Sequence, residues 1–360
     1  MEPLKELFNT AFHEHLALEL TKVYKNFKQQ QFITEVSKNL EQQSLNERMR
    51  NASLVLNKYL PEDYKKTIDI LQQVIPNMKR GYTSLLFPDY VGQYGKKDIH
   101  LSLEALKYFT QFGSSEFAIR EFLKHDFNKT IQVMYTWAKD KNYHVRRLAS
   151  EGSRPRLPWS FKLDEVIKNP KLTQPILETL KADEELYVRK SVANHLNDIS
   201  KDHPDYMVQV VKGWDKKHTH TAWIVKHASR ALIKKGHSAS LAVFDFEKKP
   251  RLSIGQFKLN TKNLKLGQAL QFEFDVVSEK SSPQKLVIDY IIHYRKKAGE
   301  LSPKVFKLTE LELLPKQSVH ISKKQVFKDF TTRKHFSGQH LIEIQVNGKV
   351  MAEDKFKLEV

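Results

Sequence analysis

The segment Leu148-Ala149-Ser150-Glu151-Gly152-Ser153-Arg154-Pro155-Arg156-Leu157-Pro158-Trp159 concentrates more reactive side-chain types than any other stretch of this 360-residue chain. A helical pattern ends at Gly152, and two prolines then stiffen an extended run. Arg154 and Arg156 have the paired N–H donors that suit phosphate oxygens, and Trp159 offers an aromatic face to a sugar or a cation. The same composition also serves as a connector between helical repeats with a buried tryptophan, so on chemistry alone both readings stand.

Other chemistries are set aside by what surrounds this segment. With no cysteine in the chain, disulfides, Cys-type zinc sites, iron–sulfur clusters and a thiol nucleophile are excluded. Gly92-Gln93-Tyr94-Gly95 has no Gly-Lys-Ser/Thr after it and no strand before it, so it does not form a phosphate loop. Of the 15 histidines, His218, His220 and His227 lie close together, but without HExxH or a consistent carboxylate partner. No metal or cofactor is expected. His13 and His15 read as helix surface residues, and Tyr82, Phe87 and Tyr90 as core or connector aromatics. His293-Tyr294-Arg295-Lys296-Lys297 reads equally as a backbone-touching strand end or as a charged edge that blocks aggregation.

The elements that must carry the segment fall into two kinds. Residues 1–247 are helical in pattern: Phe12, Leu16, Leu20, Val23 and Phe27 recur every three or four residues. Leu54, Leu60, the series Ile68, Leu71, Val74, and Leu101, Leu103, Leu106, Phe109 do the same, with Ser102 available as a cap and breaks at Pro61, Gly81, Gly113, Pro170 and Gly213. A weak repeat runs through Tyr143-His144-Val145-Arg146, Leu186-Tyr187-Val188-Arg189 and Trp223-Ile224-Val225-Lys226, with the valines 43 and 37 residues apart. That period matches HEAT-type helix pairs. From 248 to 360 the pattern alternates instead. Leu270, Phe272, Phe274 and Val276 mark one strand, and Leu286–Tyr294 reads as a central strand. Val305–Leu311 and Val319–Ile321 follow, and Asn347-Gly348 is a two-residue hairpin signal. Seven or so short strands predict an immunoglobulin-like β-sandwich without its cysteine pair. The predicted fold class is a HEAT-like α-helical solenoid (1–247) followed by that sandwich (248–360).

Charge points to the partner. Lys and Arg number 60 against 42 Asp and Glu, a net charge of +18. Residues 1–100 contribute +2, residues 101–250 +8 and residues 251–360 +8, scattered rather than in blocks. Such a distribution fits a folded surface that follows an anionic backbone, although a basic surface also simply aids solubility. The start MEPLKELFNT lacks the pattern of a signal peptide, and apolar runs such as Tyr206–Val211 are far too short to span a bilayer. The expectation is a cytoplasmic protein, with no membrane partner.

A helical-repeat chain with SEGSRPRLPW (Ser150–Trp159) followed by VRKSVANHLNDISKDHP (Val188–Pro204) resembles the AlkC branch of the AlkD-like DNA glycosylases. The resemblance covers the whole chain, including the LKELFN region and the C-terminal immunoglobulin-like domain that some members carry. It implies a monofunctional glycosylase that releases cationic alkylated bases, chiefly 3-methyladenine and in this branch also 3-methylcytosine, during base excision repair. The lesion would be met in double-stranded DNA on the concave wall, without base flipping, by a nucleoid-associated monomer. The resemblance places the active-site carboxylates at Glu116, Glu151 and Asp198 and the aromatic contact at Trp159. Spacing adds support: Glu116 to Glu151 is 35 residues and Glu151 to Asp198 is 47, each close to one repeat, which stacks side chains on one wall. Each carboxylate could instead only cap a helix or pair locally, Glu116 with Arg120 and Asp198 with His195.

A base carrying positive charge is already a good leaving group, so a carboxylate that stabilises oxocarbenium charge and orients water is sufficient. That role goes first to Glu151, with Asp198 as partner and Glu116 assisting. Candidates for holding phosphates are Arg146, Arg147, Arg154, Arg156, Arg189, Lys190, Lys226 and Arg230. Two alternatives remain at this point: a non-catalytic helical-repeat adaptor for nucleic acid or protein, and a scaffold with an immunoglobulin-like docking domain.

Overall fold

The computed structural model describes residues 3–330 and 333–360. Short helices fill the chain from Thr10 to Val243, and strands begin at Leu252. By packing, the chain forms two units. One runs to His203 and includes Trp214–Ala228; the other combines Pro204–Gly213 with Ser229–Val360. The junction expected at residue 248 therefore lies inside the second unit.

In the first unit the apolar spacings build the helices they predict. Helix Thr10–Val23 buries Leu16 and Leu20, and Phe27 is buried in the segment that follows. Helix Tyr64–Val74 buries Ile68, Leu71 and Val74 completely. Three local expectations fail. Leu54 lies on the exposed face of helix Leu45–Tyr59. Ser102 does not cap helix Ile99–Phe109; Asp98 does, and the Ser102 hydroxyl instead bonds the Gly95 carbonyl at 2.8 Å. His13 is fully buried, and burial with the nearby Arg48 charge pulls its pKa down to about 4, so the ring is neutral.

The repeat is real in its packing. Helices Tyr143–Gly152 and Leu186–Ile199 lie against each other, and Val145, Val188 and Val225 are all buried. The arginine after the valine does the same work in the first two copies. Arg146 Nη1 donates to the carbonyls of Asp140 and Lys141, and Arg189 Nη1 to those of Asp183 and Glu184. Each guanidinium thus staples its helix to the turn five and six residues upstream.

Among the described residues the second unit carries eight strands: β1 (Leu252–Leu259), β2 (Asn263–Lys265), β3 (Ala269–Ser278), β4 (Gln284–Arg295), β5 (Leu301–Leu313), β6 (Ser318–Val326), β7 (Gly338–Val346) and β8 (Lys349–Glu359). They form two sheets, β1-β3-β6 and β2-β8-β7-β4-β5, in an immunoglobulin-like arrangement. Leu270, Phe272, Phe274 and Val276 of β3 face Leu286, Ile288, Tyr290 and Ile292 of β4 across one core. Every residue from Leu286 to Ile292 is buried, Asp289 included, because the other face of β4 is covered too. Val287 packs with Ile233, Leu241 and Phe246, so the last helical residues before β1 belong to the sandwich. Asn347 and Gly348, at φ 47° and 82°, close the β7–β8 hairpin as their sequence predicts.

Candidate active site

Everything that positions the reactive segment lies in the first unit. Helix Tyr143–Gly152 begins at Asn142, whose side chain accepts from the His144 amide at 2.9 Å. Its apolar face is buried through Val145, Leu148 and Ala149, leaving Arg147 and Glu151 one turn apart on a neighbouring face. At its end the chain passes so close to helix Ala118–His125 that a Cβ on Gly152 would sit 2.4 Å from Ile119 Cγ2. Only glycine lets Glu151 reach that depth.

The segment that follows is held by a buried arginine. Arg120 is completely inaccessible; its Nη1 donates to the carbonyls of Gly152 at 3.0 Å and Arg154 at 2.6 Å, and its Nη2 donates to the carbonyl of Phe161. The guanidinium also lies 5.4 Å from the centre of the Phe161 ring. Burial, with the Arg154 charge, pulls its pKa down to about 10, so it stays charged at neutral pH. Both ends of the Gly152–Phe161 loop are thereby tied to one point. At the apex stands Trp159, 77% exposed and at a left-handed φ of 64°. An indole in water on a backbone that L-residues avoid is costly for folding, which marks it as a functional candidate. It is not the buried connector tryptophan.

Beneath the loop, carboxylates and guanidiniums alternate. Arg154 is buried and forked: Nη1 donates to Glu151 Oε1 at 2.6 Å and Nε donates to Asp198 Oδ2 at 2.8 Å, with Nη2 2.7 Å from the same oxygen. Lys201 adds a 2.8 Å contact to Asp198 Oδ1. Arg147 donates to Glu116 and to Ser114 Oγ (2.8 Å), and its Nη2 lies 3.5 Å from Glu151 Oε1. Its guanidinium also sits 4.8 Å from the centre of the Tyr187 ring. Burial alone would push the Glu151 carboxyl up, but the charges of Arg147 and Arg154 outweigh it and hold the group below its ordinary range. Glu151 is ionised.

These side chains do not all meet. A cleft of about 430 Å³ is lined by Glu116, Glu151, Arg147, Trp159, Tyr187 and Tyr82, with Leu157 and Pro158. Asp198 is absent from that lining. It is only 2% exposed and joins the cleft through Arg154. The local pairings open in the sequence are replaced: Glu116 binds Arg147 rather than Arg120, and His195 bonds the Ser150 carbonyl rather than Asp198. Among the basic candidates, Arg146 forks onto Asp183 and Arg156 onto Asp202. Arg189 holds its own turn, and Lys190, Lys226 and Arg230 are exposed. Sequence reasoning missed Arg120, Ser114, Tyr187 and Tyr82 as members of this constellation. Tyr187 carried one signal, its place in the repeat motif beside Val188; Arg120 was noticed only as a possible partner of Glu116.

Known proteins resemble this chain over both of its parts. Residues 95–232 match a family described as DNA alkylation repair enzyme, and residues 253–360 match the C-terminal immunoglobulin-like domain of the uncharacterised protein YhaZ. The chain is 41% identical over 351 residues to the uncharacterized protein YhaZ of Bacillus subtilis, covering 97% of this chain and 98% of that one. It is also similar, at 45% identity, to the alkylpurine DNA glycosylase AlkC of Pseudomonas fluorescens, solved bound to DNA containing an abasic site analog. That match covers both chains completely, with a TM-score of 0.95.

Proposed function

The chain belongs to the AlkC-type DNA alkylation repair enzymes with a C-terminal immunoglobulin-like domain, and from that premise we propose that it is a monofunctional glycosylase for cationic bases, 3-methyladenine first and 3-methylcytosine second, in double-stranded DNA. The observation that carries the reading is the pairing of an ionised, buried-edge carboxylate, Glu151, with a solvent-facing Trp159 in one cleft of a chain whose net charge is +18. A protein that only gripped phosphates would gain nothing from carboxylates there, because they repel DNA. A cationic base gives them a purpose.

In the proposed reaction the C1′–N bond breaks, and its electron pair leaves with the base, which departs neutral. Positive charge develops on the sugar, where Glu151 stabilises it, and water adds to C1′ with its proton passing to Glu151 and on to solvent. Trp159 lies against the sugar or the charged base, and its face favours the cation over the neutral parent base. Glu116 adds negative potential from the neighbouring repeat. Asp198 is assigned a positioning role, because it reaches Glu151 only by fixing Arg154. An open cleft beneath an exposed loop suits a lesion that stays in the duplex rather than one swung into a deep pocket.

Phosphate contacts are assigned to Lys190, Lys226 and Arg230, which are exposed, while Arg146, Arg154, Arg156 and Arg189 hold the wall together. The β-sandwich, at +8, helps to grip the duplex. No helix among the described residues is long and apolar enough to cross a membrane, and we place the enzyme in the cytoplasm, acting as a monomer on the nucleoid. Purified protein incubated with methylated duplex DNA should release 3-methyladenine, and Glu151→Gln should cut turnover sharply while leaving DNA affinity in place. Absence of released base from the unaltered protein overturns the assignment; equal loss of turnover and affinity in Glu151→Gln reduces that residue to a structural one.

A further inference from the structure

The cleft already contains a cation of its own. Arg147 lines it, donating to Glu116 and to Ser114 Oγ (2.8 Å), approaching Glu151 Oε1 at 3.5 Å, and lying 4.8 Å from the centre of the Tyr187 ring. A flat, delocalised positive charge on an aromatic face between two carboxylates makes the contacts that a methylated, positively charged base would need. The two cannot hold the same place. Arg154 differs: it is sunk between Glu151 and Asp198 and lies outside the cleft lining, so it pairs Glu151 whatever the cleft holds. Among the described residues Glu116 has no such second guanidinium, its other side-chain hydrogen bond coming from Ser114.

We propose that Arg147 is a stand-in for the substrate's charge and sets the preference for cationic bases by competing for the same carboxylates. A base that enters must displace the guanidinium from Glu116 and Glu151. A neutral base would leave a partly buried carboxylate without its counter-charge, which is strongly unfavourable. A cationic base restores the pairing, and the released Arg147 is free to take a DNA phosphate, for which its fork is suited. Discrimination then follows from charge exchange, with no need to read base edges. This inference rests on the glycosylase reading for its substrate class.

The test uses full-length protein and the nucleoside 3-methylcytidine, a cation at neutral pH, with neutral cytidine as control, followed by tryptophan fluorescence. Arg147→Met should bind 3-methylcytidine at least about ten-fold more tightly than the unaltered protein, with cytidine unchanged. Arg147→Lys, which keeps a charge, should stay as weak as the unaltered protein. The gain should vanish in Arg147→Met/Glu116→Gln. Folding is checked by circular dichroism; if Arg147→Met does not fold, Arg147→Gln carries the same comparison. A folded neutral variant that binds the nucleoside no more tightly overturns the proposal, as does a gain that persists without Glu116. Base release from methylated DNA by the unaltered protein is scored separately. Release without the gain sinks the charge-exchange idea alone, and the gain without release sinks the glycosylase reading alone.

Discussion

Trp159 permits a test in which stability and activity should move apart. Its backbone sits at φ 64°, where a residue with a Cβ loses about 1–2 kcal/mol relative to the right-handed region. Glycine escapes that penalty but has more freedom to lose on folding, which takes back about 0.5–1 kcal/mol. Trp159→Gly should therefore be more stable than Trp159→Ala by about 0.5–1 kcal/mol, the reverse of their order at an ordinary position. The side chain is 77% exposed, so truncation removes only about a quarter of its surface from packing, on the order of 1 kcal/mol at about 25 cal/mol per Å². Trp159→Gly should then fall within about 1 kcal/mol of the unaltered protein. Urea titrations of the three proteins measure this. Base release should fall in both variants by about ten-fold or more, as expected for losing an aromatic contact worth about 1–3 kcal/mol. An alanine variant as stable as the glycine variant would show that residue 159 is not held left-handed. A loss above about 2 kcal/mol in both would show that the indole is a packing element instead.

Three further outcomes follow from closely packed groups. Arg120→Met removes the donor shared by three loop carbonyls and should cost about 3–5 kcal/mol, with a fall in base release that added substrate does not restore; thermal melting and kcat against KM check it, and unchanged turnover would show that the loop holds itself. Burial lowers the His195 pKa from 6.5 to about 3, so the unfolded chain takes up a proton that the folded site refuses. Stability contributed by the neutral ring is complete above about 6.5 and lost as pH falls toward 3; His195→Asn should show a smaller drop in melting temperature between pH 7 and pH 5, and an identical drop would exclude the residue as a source. Gly348 has a φ of 82°, and a Cβ there would lie 2.0 Å from Gly236 Cα, so Gly348→Ala should destabilise the second unit by about 3 kcal/mol or more in denaturant titration.

Features whose cause is local were legible in the sequence. Apolar spacing specified helix Tyr64–Val74, alternation specified β3, and Asn347-Gly348 specified a turn that needs two positive φ values. The chemistry of the Glu151–Trp159 segment was legible for the same reason, since its prolines, arginines and tryptophan are adjacent. What escaped depends on partners distant in the chain. Ser102 looks like a cap until Gly95 and Tyr64 are brought beside it. His13 looks like a surface residue because a one-dimensional pattern shows which face a residue occupies, not what later covers it. The chain before β1 was read as solenoid, yet Ile233, Leu241 and Phe246 find their apolar partner in Val287, which the sequence places 41 to 54 residues beyond.

The division of labour among the arginines shows most clearly why composition needs geometry. A net charge of +18 suggests that guanidiniums around the site exist to meet phosphate. Within the first unit many of them meet acids and carbonyls instead: Arg146 takes Asp183, Arg154 takes Glu151 and Asp198, and Arg156 takes Asp202. A carboxylate can be buried at a wall facing DNA only if positive charge is built in behind it, because isolated burial would protonate it and remove its use. Arg154 supplies that charge from the rear and Arg147 from the front. The rear contact is locked by Asp198 and by the loop that Arg120 ties down, and the front contact opens onto the cleft. On the charge-exchange proposal the wall has one permanent counter-charge, Arg154, and one exchangeable one, Arg147, which lines the cleft assigned to the cationic base.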